Sequence, residues 1–295
     1  MTQSKPTVSF EFFPPKSIAA SFQLWETVQT LAPMAPEFVS VTYGAGGATR
    51  ALTRDAVAAI AAQTPLRVAA HLTCVAASRA ETMQIVENYA ALGVSDIVAL
   101  RGDMPGGGAF AATPDGFADS CALVAALAKR GGFRIHVGAY PEPHPESRGQ
   151  AADIDHLKAK FDAGATRAIT QFFFEPGTFF RFRDACVRAG ITQPIVPGIL
   201  PIENWAGVRR MAVRCGAHVP PEFDAAFAAA ARDDTGQGNG RTDLLATVLC
   251  TELCDALLAG GAEHLHFYTM NRASQTRQVC HALGVTAEVD LQKVA

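Results

Sequence analysis

Residues 134–174 read RIHVGAYPEPHPESRGQAADIDHLKAKFDAGATRAITQFFF, and their period decides the fold. The first eight (RIHVGAYP, 134–141) read as a strand. A loop stiffened by Pro141, Pro143 and Pro145 follows. The span 151–163 (AADIDHLKAKFDA) shifts to a helical repeat, and Gly164 stands just past its end. Residues 167–174 (RAITQFFF) read as a strand again. This is one strand–helix–strand unit.

Working outward, the same alternation covers almost the whole chain. Strand-like runs precede it at 7–13 (TVSFEFF), 38–44 (FVSVTYG), 67–74 (RVAAHLTC) and 96–103 (DIVALRGD). Two more follow at 194–201 (PIVPGILP) and 264–271 (HLHFYTMN). Helix-like segments lie between, for example 78–92, 202–214 and 242–259, and Gly93, Gly131, Gly190 and Gly284 close several of the helical segments. Eight strand–helix units predict an α/β protein, a (β/α)8 TIM barrel forming a single domain over 1–295. An extra helical insertion, 219–241, precedes the last strand, and its polar stretch 232–241 reads as a mobile loop. An open doubly wound sheet is the alternative, weakened because no GxGxxG follows the first strand.

Bulk properties exclude several function classes. Charged residues are 18% and hydrophobic residues 49%, a composition that builds a large core. A net charge of −3 gives no basic bias towards nucleic acid. No apolar run is long enough to span a membrane, and the N-terminus lacks the pattern of a signal peptide. Seven cysteines without a CxxC pair suit a reducing compartment, so a cytoplasmic protein is expected. P-loop, GxSxG and HExxH spacings are absent, and no metal site is expected.

In a barrel, chemistry belongs at the C-terminal ends of the strands. Those ends carry Glu11, Thr42, Tyr43, His71, Thr73, Arg101, Asp103, Tyr140, Gln171, Tyr268, Asn271 and Arg272. Glu11 stands out, because it sits between Phe10 and Phe12 in SFEFFPP. It points to the polar face of a half-buried strand, or pairs with a buried Arg or Lys, or its phenylalanine neighbours raise its pKa until it serves as a general acid. Arg101-Gly102-Asp103 is either a strand-end salt bridge or a place where a flat ligand meets the backbone. His144 sits on the proline-rich loop, where it fills no core and suits binding. Lys160 reads as a solvated residue or as a contact for a pyrophosphate. His264 and His266 share one face, and no third metal ligand stands out.

Together these segments resemble the 5,10-methylenetetrahydrofolate reductase family in its short bacterial form. The likeness runs through SFEFFPP (9–15), FVSVTYGAGG (38–47), HLTC (71–74), VALRGD (98–103), AYPEPHPE (139–146), DAGATRAITQFFF (162–174), PGILPI (197–202) and HFYTMNR (266–272). Several motifs in one order make it specific. The long regulatory domain of the family's animal members is not expected here.

The resemblance implies an FAD-dependent oxidoreductase. Hydride would pass from NADH, or less favourably NADPH, through FAD to methylenetetrahydrofolate in a ping-pong reaction that feeds methionine synthesis. Glu11 matches the general acid, and Asp103 matches the carboxylate that contacts the pterin and tunes the flavin. Gln171, Tyr268 and Arg272 match folate contacts. FAD would be held by Thr42, Tyr43, Ala45, His71, Arg101, Gly102, Tyr140, His144, Asp153 and Lys160, with Ala118 and Ser147 offering backbone groups and His156 facing the phosphates. The chain departs from the family pattern at His156, Ala159, Gly207 and Met211. A homo-oligomer is expected. The alternatives are an FAD and folate oxidoreductase with another electron partner, or one oxidising methyltetrahydrofolate, or a non-redox folate-binding barrel.

Overall fold

A computed structural model describes residues 5–44, 49–234 and 240–286. Ala45, and residues 235–239 of the stretch read as a mobile loop, lie outside them.

Among the described residues, nine short parallel strands run in the order β7-β6-β5-β4-β3-β2-β1-β9-β8. They are β1 (Thr7–Phe12), β2 (Phe38–Val41), β3 (Val68–Thr73), β4 (Asp96–Leu100), β5 (Arg134–Ala139), β6 (Arg167–Thr170), β7 (Ile195–Val196), β8 (Gly198–Ile199) and β9 (His264–Tyr268). Helices α1 (Ile18–Leu31), α2 (Arg50–Gln63), α3 (Arg79–Ala91), α4 (Ser120–Arg130), α5 (Gln150–Asp162) and α6 (Pro176–Arg188) follow the first six strands in turn. Then come α7 (Trp205–Cys215), α8 (Pro221–Asp233), α9 (Gly240–Ala259) and, after β9, α10 (Ser274–Ala282). This is a nearly closed TIM-like barrel, with α8 as the expected helical insertion.

Several boundaries differ from the sequence reading. The expected seventh strand, 194–201, is two half-strands on either side of Pro197. Proline has no N–H to give a ladder, so β7 bonds β6 and β8 bonds β9. Other strands stop two to four residues early, at Val41, Leu100, Ala139 and Thr170. The residues beyond them form the loops of the barrel mouth.

Strict alternation sorts the strands. Val8, Phe10 and Phe12 of β1 and Leu265 and Phe267 of β9 face the helices, in one large buried cluster with residues such as Leu123, Leu127, Phe179 and Leu257. Ser9, Glu11, His264, His266 and Tyr268 therefore take the opposite, inner face. A small apolar layer of Phe38, Ala69, Val98 and Ile169 shares the barrel interior with polar groups. A third cluster joins α7, α8 and α9, where Trp205 stacks on Phe227 at 4.7 Å and donates to Asp224 at 2.9 Å. Helix starts carry local signals: Ser78 and Glu81 form a capping box on α3, and Asp119 caps α4.

Candidate active site

Two adjoining cavities open at the C-terminal mouth. The larger, about 490 Å³, is walled by Tyr43, Arg101, Gly102, Asp103, Tyr140, His144, Ser147, Asp153, His156 and Lys160. The smaller, about 340 Å³, is walled by Glu11, His71, Gln171, Tyr268 and the mostly apolar side chains Phe13, Leu200, Met211 and Met270. Leu100, Gly138, Ala139 and Tyr140 line both, so the two meet over the ends of β4 and β5.

The larger cavity mixes cations (Arg101, Arg148 and Lys160) with carboxylates (Asp103, Glu146 and Asp153). Lys160 reaches it from α5 and is only 5% exposed, with its Nζ donating to the Gly138 carbonyl at 2.7 Å. Burial lowers its pKa to about 8. No carboxylate forms an ion pair with it among the described residues. Arg101 does not pair with Asp103. It binds Glu146 at 2.8 Å and lies over the Phe110 ring. The His144 ring meets Tyr140 edge-on at 4.7 Å, and its backbone N–H donates to Asp153 at 3.0 Å. His156 contacts Ser120 at 3.2 Å, and burial lowers its pKa. Gly102 has φ +84°, and a Cβ there would lie 2.6 Å from Val75 and 2.8 Å from Thr73. Only glycine lets the chain turn so tightly at this wall.

The smaller cavity is floored by Glu11, whose side chain is 12% exposed. Its Oε2 lies 3.1 Å from His71 Nε2, 3.4 Å from His266 Nε2 and 3.4 Å from Ser40 Oγ, which donates to it. The His71 contact is bent away from the line of a ring N–H. The sequence reading is corrected here, because Phe10 and Phe12 point to the helices and do not surround the carboxyl. Burial is still the largest influence and pushes its pKa up. The two imidazoles, when charged or donating, overcome it and bring the carboxyl down to about 2. Glu11 is thus an anion when the imidazoles donate to it and an acid when they do not.

Beside it, Tyr268 donates to the Thr170 carbonyl at 2.6 Å. Gly198 makes this approach possible, since a Cβ there would lie 2.1 Å from the Thr170 oxygen and 2.7 Å from the Tyr268 ring. Asn271 brackets the end of β1, accepting from the Phe13 N–H at 2.8 Å and donating to its carbonyl at 2.9 Å.

Most of the residues singled out in the sequence meet on these walls, though not all. His71 lines the smaller cavity beside Glu11 and not the larger one. Thr42, Ala118 and Arg272 line neither, and Ala118 and Arg272 are exposed. The sequence reading missed Glu146, Arg148, Arg214, Cys215 and Met270 as wall residues. Glu146 lay inside the quoted proline-rich motif, and only its pairing with Arg101 shows its place.

The family model described as methylenetetrahydrofolate reductase matches residues 1–284. A 5,10-methylenetetrahydrofolate reductase of Pectobacterium carotovorum is 40% identical over 287 residues, 97% of this chain and 93% of the relative. The Escherichia coli protein of the same name is 40% identical over 283 residues, 96% and 92% of the two chains. An Arabidopsis thaliana protein named methylenetetrahydrofolate reductase (NADH) 1 is 34% identical, with 99% of this chain matching 50% of its length. Among solved structures, a Clostridium thermocellum protein that binds two copies of 5-methyl-5,6,7,8-tetrahydrofolic acid superposes with a TM-score of 0.58 at 9% identity, over 96% of each chain. A dihydropteroate synthase from Stenotrophomonas maltophilia gives 0.51 at 10% identity, over 97% of this chain and 93% of that one. These structural likenesses speak for the barrel alone. The sequence matches say more: this chain is a member of the methylenetetrahydrofolate reductase family of oxidoreductases.

Proposed function

We propose that this enzyme reduces 5,10-methylenetetrahydrofolate to 5-methyltetrahydrofolate in two alternating half-reactions. Electrons come from NADH in preference to NADPH, FAD occupies the larger cavity, and the product feeds methionine synthesis. The observation that carries the reading is Lys160, a cation buried to 5% exposure and without a carboxylate partner among the described residues, on the wall of a cavity that also holds Arg101, Arg148, His144 and His156. A buried, uncompensated charge is costly, and a diphosphate would relieve it. Tyr43 and the glycine turn at Gly102 suit a flat heterocycle on the same wall. FAD, when bound, supplies the two-electron carrier between nicotinamide and folate.

The chain's own residues do the rest. The smaller cavity takes nicotinamide and folate in turn, with Met211 and Phe13 as apolar cover and the Gln171 amide as a reader of ring edges. Opening of the imidazolidine ring of the folate requires a proton on the departing nitrogen. Glu11 lies on the floor of that cavity as the acid that gives it. Its Oε1 has no protein partner among the described residues and is free to face the folate. Asp103, on the wall of the neighbouring cavity, adds negative charge near the flavin and pterin.

Anaerobic stopped-flow at the flavin absorbance maximum tests this. Bleaching by NADH and recovery on adding methylenetetrahydrofolate is the expected result. A flavin that neither NADH nor NADPH reduces would overturn the electron donor.

A further inference from the structure

The acid at the mouth is connected through the barrel to an ion-paired carboxylate at the opposite end. Ser9 Oγ is fully buried and lies 2.8 Å from His264 Nε2 and 2.7 Å from His266 Nδ1. His264 Nδ1 lies 2.8 Å from Glu37 Oε2 in a bent contact. His266 Nε2 lies 3.4 Å from Glu11 Oε2. The series is Glu37, His264, Ser9, His266, Glu11. Phe38 stacks against both rings, at 5.9 Å and 5.8 Å, and fixes their planes.

The hydrogens in this series are not free to choose. Glu37 is held as a carboxylate, well below the usual range, by its bond with His264 above all and by Arg167, with Arg67 also 3.0 Å away. A nitrogen lone pair 2.8 Å from a carboxylate oxygen is repulsive, so Nδ1 of His264 carries a hydrogen. Burial lowers the pKa of both His264 and His266, which leaves each ring neutral with one hydrogen. Nε2 of His264 is therefore an acceptor, and the single hydroxyl hydrogen of Ser9 goes to it. Ser9 Oγ has no other partner among the described residues, so it accepts from Nδ1–H of His266. Nε2 of His266 is then left as a lone pair facing Glu11. The contact is stable only with a proton in it, carried by Glu11.

We propose that Glu37, acting through His264, Ser9 and His266 as positioning residues, orients this hydrogen-bond series so that a proton stays on the Glu11–His266 contact, ready for the folate nitrogen. The proposal rests on the reading of Glu11 as the acid. In the folate half-reaction one proton leaves Glu11 for the departing nitrogen of the folate, as the carbon–nitrogen bond breaks. One proton from solvent restores the pair in each turnover. Other charged or titratable groups face the series. His71 and Tyr268 face Glu11, and His71 and His136 lie near His266. Arg167 faces His264 and Glu37, and Asp96 is held away in its own pairs with His136, Arg67 and Arg134.

Two measurements test it, one without substrate. In 15N-histidine-labelled wild-type enzyme, two-bond nitrogen–proton spectra should show His264 and His266 as neutral Nδ1–H tautomers. An Nε2–H tautomer at His266 would overturn the proposal whatever the enzyme's substrate. The second follows each half-reaction against pH in Ser9→Ala and Ser9→Thr. Loss of the hydroxyl lets His266 turn its hydrogen towards Glu11 and stabilise the carboxylate. The falling limb of the folate half-reaction in Ser9→Ala should move down by about one pH unit or more, a roughly tenfold loss at fixed pH on that limb. The nicotinamide half-reaction should stay within about twofold, and Ser9→Thr should restore the wild-type limb. An unchanged limb in Ser9→Ala would overturn the series. Failure of folate to reoxidise the wild-type flavin would overturn the functional reading and leave the tautomer result standing.

Discussion

The two ends of the barrel treat charge in opposite ways. At the N-terminal end, Glu37 is bonded by Arg67, Arg167 and His264, and Asp96 by Arg67, Arg134 and His136. Each carboxylate there is matched. At the C-terminal mouth, Lys160 is buried with no carboxylate paired to it among the described residues, and Glu11 holds a carboxyl whose state depends on which way two imidazoles point. One end uses charge to hold strands together. The other keeps charge unspent, which is what a ligand or a reaction needs.

The largest effect should come from removing the acid. Glu11→Gln should slow the folate half-reaction by about 10²–10⁴-fold, the usual worth of a positioned acid, and leave nicotinamide-driven flavin reduction within a few-fold. Single-turnover traces of each half-reaction check it, and equal losses in both would show that Glu11 shapes the cavity instead.

The contrast predicts stability changes of opposite sign. Glu37→Gln leaves Arg67 and Arg167 short of a partner and should cost about 2–3 kcal/mol by urea unfolding, at the low end because Glu37 is 28% exposed. Its pKa is lowered in the fold, so this stability is full above the ordinary carboxylate value of 4.5 and is lost as pH falls below it. Wild type and variant should therefore converge in acid. Lys160→Met should instead stabilise the flavin-free protein, by about 1–3 kcal/mol near pH 7. The lysine's pKa drops from 10.5 to about 8, so its penalty is full below pH 8 and fades as pH rises towards 10.5. If Lys160→Met destabilised the flavin-free protein, the mouth would not be holding uncompensated charge.

The same lysine gives a binding prediction. FAD affinity, measured by fluorescence quenching on titration into the flavin-free protein, should weaken as pH rises through 8, because a neutral Lys160 must first take up a proton. In Lys160→Met that dependence should vanish and affinity should fall about 10–100-fold, the worth of one charged hydrogen bond. The smallest effect concerns the wall itself. Gly102→Ala forces a methyl against Val75 and Thr73 at φ +84° and should cost about 1–2 kcal/mol in thermal unfolding, with weaker FAD retention.

Much of this was legible in the chain. Alternation in HLHF placed His264 and His266 on one face, and the switch of period gave the barrel. Proline at 197 was visible as well, but its effect on the ladder needed the neighbouring strands. The surroundings of Glu11 were misread for a physical reason. Its neighbours in sequence, Phe10 and Phe12, are its neighbours least in space, because a strand sends adjacent side chains to opposite faces. Its true partners, His71 and His266, come from strands 60 and 255 residues away. For Arg101 the chain offers Asp103 as one candidate partner by proximity, whereas the partner in the structure, Glu146, arrives from another loop. Periodicity tells which way a side chain points and says nothing of what it meets there.

The break at Pro197 gives the barrel a seam. β7 is held to β6 by two paired positions and β8 to β9 by two, against five between β1 and β9. Amide hydrogens along this line should exchange with solvent earlier than those of β1 or β3 when the native protein breathes. Because Leu200 and Tyr268 border both the seam and the smaller cavity, the loosest line of the cylinder runs beside the place where substrates must come and go. The β3–β4 and β4–β5 walls under the larger cavity, with five and four paired positions, stay shut on the slower clock of global unfolding.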